Sequence, residues 1–233
     1  PVLFTKSGLI HLQRRVNPIS KEQEEKFEKE GLPEEEIERK KTITDRTITM
    51  QWVDANPDVE IIAGEKRKDY HTYWMQTEKA WAYKSITYKN IYPGIDIVYS
   101  FPKVSATGFE YSIIVHPGAD PSRIKMKYGA DVKKLKIEEG KLVIRSEVNG
   151  VTESAPVCYY NDRVTENKTA EIPSGFEVKE NIIGFVFPSG YDRTKTFIID
   201  PFVSNTSVLT GLNAGKAKDV DFDYAGNVYV TGG

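Results

Sequence analysis

Short runs of alternating apolar and polar residues, each closed by Gly, Pro or Asn, dominate this chain and leave little room for anything but a β fold. From Thr42 the period is 2. Ile43, Asp45, Thr47 and Thr49 fall on one side, and Thr44, Arg46, Ile48 and Met50 on the other. Trp52-Val53 and Asn56-Pro57 close that run, and residues 58–63 form the next, ended by Gly64. After the Pro93-Gly94 turn, Ile95, Ile97 and Tyr99 alternate with Asp96 and Val98. Residues 109–115 read as a strand stopped by His116-Pro117-Gly118-Ala119-Asp120-Pro121, because two prolines so close together forbid continued ladder pairing. Further runs at 124–128, 135–137, 142–145, 156–160, 176–179, 182–187 and 196–199 keep a spacing of roughly 8–12 residues. This cadence predicts an all-β, multi-stranded, β-sandwich-like domain.

One stretch breaks the cadence. Residues 20–41 are densely charged around Phe27, Leu32 and Ile37, and Gly31 and Pro33 divide them into two short helices. Ser20 is the expected first cap, with Glu22 and Glu34 near the positive helix starts. Three apolar side chains cannot build a core of their own, so the stretch is expected as a helical insertion packed lightly on the β domain. Residues 68–82, rich in aromatics, lack clean periodicity and are expected to be irregular structure lying across a sheet.

The 233 residues suffice for one large β domain or two small ones, and 39% hydrophobic with 28% charged residues is a globular balance. A net charge of −2 without a basic stripe argues against nucleic acid as a partner. No apolar run approaches the ~18 residues of a membrane span. Cys158, the single cysteine, cannot form an intrachain disulfide and reads as a small buried hydrophobe. The chain opens inside a strand without Met and closes on Thr231-Gly232-Gly233, so both ends read as cut from a longer protein.

Chemistry-bearing patterns are thin. Asp219, Asp221 and Asp223 resemble the start of a calcium loop, but Tyr224 stands where Gly is required and Val230 where Glu is required. A hairpin turning at residues 223–227 accounts for them better. His11, His71 and His116 show no metal-ligand spacing, and no nucleophile elbow or phosphate loop occurs. The expectation is therefore no catalytic residue, no metal and no cofactor. Tyr70, Tyr73, Trp74 and Trp81 are the candidate ligand-binding residues, because clustered aromatics can stack on a sugar ring or a peptide.

Three stretches together carry a resemblance. They are Tyr88-Lys89-Asn90-Ile91-Tyr92-Pro93-Gly94-Ile95-Asp96-Ile97-Val98-Tyr99, Phe109-Glu110-Tyr111 with 115–124, and Tyr191-Asp192-Arg193 with Ile198-Ile199-Asp200-Pro201. The chain resembles the uncharacterised β domain that precedes SBBP-type β-propeller repeats in large secreted surface proteins of Bacteroidota. Residues 219–232 look like the first such repeat. The resemblance implies a leading β domain over 1–200 and the start of a propeller over 201–233. It also implies an extracellular, outer-membrane-associated setting, with type IX secretion, gliding or adhesion as the context. Other protein subunits or the secretion machinery would be the partners. The alternatives are a carbohydrate- or peptide-binding module and an accessory domain of a propeller enzyme.

Overall fold

A computed structural model describes residues 2–72, 79–100, 108–161, 168–206, 217–222 and 228–232. The N-terminal alternation pairs first: β1 (Val2–Thr5) and β2 (Gly8–Asn17) form a hairpin. Then β2 runs antiparallel to β3 (Thr42–Trp52) from Gly8↔Gln51 to Asn17↔Thr42. The charged insertion therefore sits at the tip of this long hairpin. It contains α1 (Lys21–Lys29) and α2 (Glu34–Glu38). Ser20 caps α1 in a capping box: its side chain accepts from Gln23 N–H, and Gln23 accepts from Ser20 N–H. No residue of α1 is buried, and Ile37 is the buried residue of α2.

The chain continues through β4 (Glu60–Ala63), β5 (Lys66–Thr72), β6 (Lys79–Tyr83), β7 (Ser85–Tyr92), β8 (Ile95–Ser100) and β9 (Gly108–Val115). After a 3-10 turn at Pro121–Arg123 come β10 (Met126–Ala130), β11 (Lys134–Glu138), β12 (Lys141–Arg145), β13 (Gly150–Glu153) and β14 (Val157–Asn161). The remainder is β15 (Lys168–Ile172), β16 (Gly175–Lys179), β17 (Ile182–Val186), β18 (Phe197–Asp200), β19 (Phe202–Thr206), β20 (Ala217–Phe222) and β21 (Val228–Gly232).

Two antiparallel sheets hold most of these strands. The smaller has the order β1-β2-β3-β10-β17-β16. The larger has eleven strands, along β11-β12-β13-β19-β9-β18-β14-β15 with β8, β7 and β4 added beyond β9. The two pack on a shared core. Ile48, Met50, Trp52, Met126 and Ile183 come from the smaller sheet, and Tyr99, Phe109, Tyr111, Ile113, Leu142 and Val151 from the larger. Alternation sets which residues enter it: in β9, Phe109, Tyr111, Ile113 and Val115 are all buried. Edge-on ring contacts from Phe4 to Tyr99 and Phe109, at 5.0 and 5.6 Å, join β1 to the opposite sheet. The fold is the all-β, sandwich-like one that the cadence predicts.

The large sheet forks. Residues 113–115 of β9 pair with β18, and residues 108–110 pair with β19, so the chain from 197 to 206 is one strand broken at Asp200-Pro201. Pro201 has no N–H to donate, which permits the two ladders to part there. On its far side β18 meets β14 while β19 meets β13, and β13 and β14 are in turn broken at residues 154–156. Ser154 bridges the gap, its hydroxyl accepting from Phe202 N–H and its N–H donating to the Phe202 carbonyl. Pairing with the large sheet thus continues past Asp200-Pro201 as far as Thr206. Near the C-terminus β20 and β21 pair antiparallel, with Asp219 and Asp221 as strand residues, while Asp223 and the turn expected at 223–227 lie outside the described residues.

The irregular structure expected over 68–82 is corrected at 68–72 and 79–82, the part that the structure describes. Here β5 and β6 pair as a two-stranded ribbon of their own, with Tyr70↔Trp81, His71↔Ala80 and Thr72↔Lys79 in register. A register shift between Lys66 and Tyr70 interrupts the alternation and hides the strand in the sequence.

Candidate functional site

Of the aromatic candidates, Tyr70 and Trp81 are register partners on the β5–β6 ribbon. Tyr73 and Trp74 lie outside the described residues. Trp81 is partly buried, and the Lys66 ammonium lies 3.4 Å from its ring centroid. Tyr83, two residues beyond Trp81 and therefore on the same face, is exposed and pairs with Lys66 across the ribbon. At the ribbon's foot Lys84 forms an ion pair with Glu65. The adjoining β4 presents Ile61 and Ile62 to solvent. Composition pointed to the aromatics here, but only pairing reveals Lys66 and Tyr83 as part of the same face.

A second polar centre lies where the Pro93-Gly94 hairpin meets the His116-Pro117-Gly118 turn. Asp96 on β8 is buried. One carboxylate oxygen accepts from the Asn90 N–H at 2.7 Å, and the other meets Lys89 Nζ at 2.6 Å and His116 Nε2 at 2.8 Å. Asn90 takes a positive φ of 50° and Gly94 one of 70°, so the hairpin curls back over the carboxylate. His116 N–H donates to the Gly94 carbonyl and ties the two turns together. Burial pushes the Asp96 carboxyl up, but the Asn90, His116 and Lys89 donors outweigh it and hold the group below its ordinary 3.8. Asp200 plays a comparable part at the fork, accepting from Ser112 Oγ at 3.0 Å and from Tyr159 OH at 3.4 Å.

The third centre is enclosed between the sheets. Glu153, the last residue of β13, accepts from Tyr111 OH of β9 at 2.5 Å and from Tyr128 OH of β10. Beside them the Trp52 indole donates to Tyr99 OH at 3.0 Å. Burial raises the Glu153 carboxyl above its ordinary 4.5, and the two tyrosine donors only partly oppose this. Tyr99, Tyr111 and Tyr128 are all raised well above the ordinary phenol value, first by burial. The sequence does hold a signal for Glu153: alternation from Val151 aims it inward, where a carboxylate is out of place.

The remaining single residues have structural surroundings. Cys158 is buried, and burial pushes its thiol up to about 11, well away from a reactive thiolate. His11 is buried and stacks on Phe109 with centroids 6.2 Å apart. Among the described residues no group of three metal-ligating side chains comes together, and no helix is long and apolar enough to cross a membrane.

Residues 2–202 match the model of a family described as a domain of unknown function, DUF7948. The chain belongs to that family. No curated protein and no solved structure matches it.

Proposed function

Taking the chain as a member of a domain family without an assigned activity, we propose that it is a noncatalytic structural and interaction module of a large exported bacterial surface protein. In this reading it holds in place a β-propeller that begins near its C-terminus. One observation carries the proposal. The motif residues Asp96, His116 and Asp200 spend their polar atoms on turn backbones and neighbouring strands, as fold determinants do. The antiparallel pairing of β20 with β21, in a repeat-like sequence, supports the propeller half of the reading.

The test uses the native full-length protein in its own cells. Protease applied to intact cells should remove peptides of this domain while cytosolic controls survive. Recovery of the domain only from the cytosol would overturn the surface assignment.

A second reading rests on the β5–β6 ribbon. Trp81, exposed Tyr83 and the Lys66 cation form a face suited to a glycan or an extended peptide. Trp81→Ala should then weaken retention on the bound glycan or peptide by at least tenfold, since an aromatic anchor contributes about 1.4 kcal/mol or more. Equal retention of both proteins would remove this reading and leave the first one standing.

A further inference from the structure

We propose that Glu153 is a proton-dependent clamp between the two sheets, tight while its carboxyl carries a proton and loosened when the proton leaves. The position is the first support. Glu153 is 1% exposed and takes hydroxyls from both sides of the sandwich, Tyr111 from the larger sheet and Tyr128 from the smaller. Its register partners, Leu142 on β12 and Val203 on β19, are apolar. The titratable groups facing the cluster are Tyr111 on β9, Tyr128 on β10 and Tyr99 on β8, with the Trp52 indole of β3 already committed to Tyr99. Among the described residues, no lysine, arginine or histidine is one of the groups acting on Glu153.

The chemistry follows from donor counting. An ionised carboxylate accepts from both tyrosines. A protonated one accepts from one tyrosine and donates to the oxygen of the other. The hydroxyl of Tyr111, on giving up the carboxylate, still reaches Met126 Sδ at 3.6 Å, and what changes is a bare negative charge that, among the described residues, no cation acts on. The fold favours the neutral form, and the unfolded chain, bathed in water, does not. Contrast Asp96, where Lys89 and two N–H donors stand ready for the charge.

The sign follows from linkage. A carboxyl whose proton is held more tightly in the fold lends stability that is fully present below its ordinary 4.5 and is lost as pH rises through the folded value. Because β13 also pairs with β19, the loosening would be felt at the strand leading to the C-terminal hairpin.

The decisive comparison is urea unfolding of the whole chain and of Glu153→Gln across a pH series. Gln keeps one donor and one acceptor for the tyrosines and cannot ionise. The ratio of the two unfolding constants, wild type over variant, should climb above pH 4.5 by up to about tenfold per pH unit until the carboxyl is ionised in the fold. A constant ratio would overturn the proposal. Should the variant not fold, infrared spectra of wild type with isotope-labelled glutamate serve instead. A carboxylic band that persists in the native protein above pH 4.5, at a pH where the unfolded chain has lost it, is the expected result; native and unfolded bands that vanish at the same pH would overturn the clamp.

Discussion

Asp96 and Glu153 are both carboxylates on strands of the large sheet, only 3% and 1% exposed, yet their surroundings push them in opposite directions. Asp96 lies at a corner of the fold among N–H donors, with one cation in reach, and is held ionised. Glu153 lies between the sheets among phenols and is pushed toward its neutral form. Depth of burial alone does not decide the fate of a buried acid; the donors that surround it do.

The largest expected effect is at the corner. Asp96→Ala leaves Lys89, His116 and the Asn90 N–H without their shared acceptor and should cost about 3 kcal/mol, read as a lower urea midpoint. Glu153→Leu strands two buried hydroxyls and should cost about 2–3 kcal/mol. A smaller loss there than at Glu153→Gln would show that the tyrosines find other partners. Next comes the acid limb. The Asp96 contribution is present above 3.8 and is lost as pH falls through its lowered folded value, so Asp96→Asn should lower stability near neutral pH, flatten the acid limb and leave the slope in the neutral region unchanged. A flattened neutral region would mean the two centres are coupled. Trp52→Phe removes the indole donor to Tyr99 and leaves a smaller ring in a buried site, and should cost about 2 kcal/mol. Arg14→Ala, which breaks a half-exposed pair with Asp45, should cost less than about 0.5 kcal/mol and so mark the floor of the scale.

Much of the fold was legible. The side assignment of Thr42–Trp52 holds, with Ile48, Met50 and Trp52 all buried, because period 2 leaves a single face for the core. The helical insertion and its Ser20 cap were likewise readable, since capping is local chemistry. Strands β13, β15 and β19 were not anticipated. They are four or five residues long and polar, and β13 and β19 gain their place from partners far away in sequence. The same holds for the polar centres. Asp96 stood within a quoted motif, but its meeting with His116 depends on β8 pairing with β9. Glu153 meets Tyr128 only because two sheets stack, which no spacing along the chain encodes.

The break at Asp200-Pro201 has a mechanical consequence. The chain leaves the large sheet at Thr206, at the end of a strand held on both edges, by β13 on one side and β9 on the other. Tension drawn along that strand from whatever follows would load both ladders in shear, so their bonds must yield together. A pull directed across the strand would instead peel bond by bond. Pro201, buried at the root of the fork, is where that load passes into the two wings of the sheet.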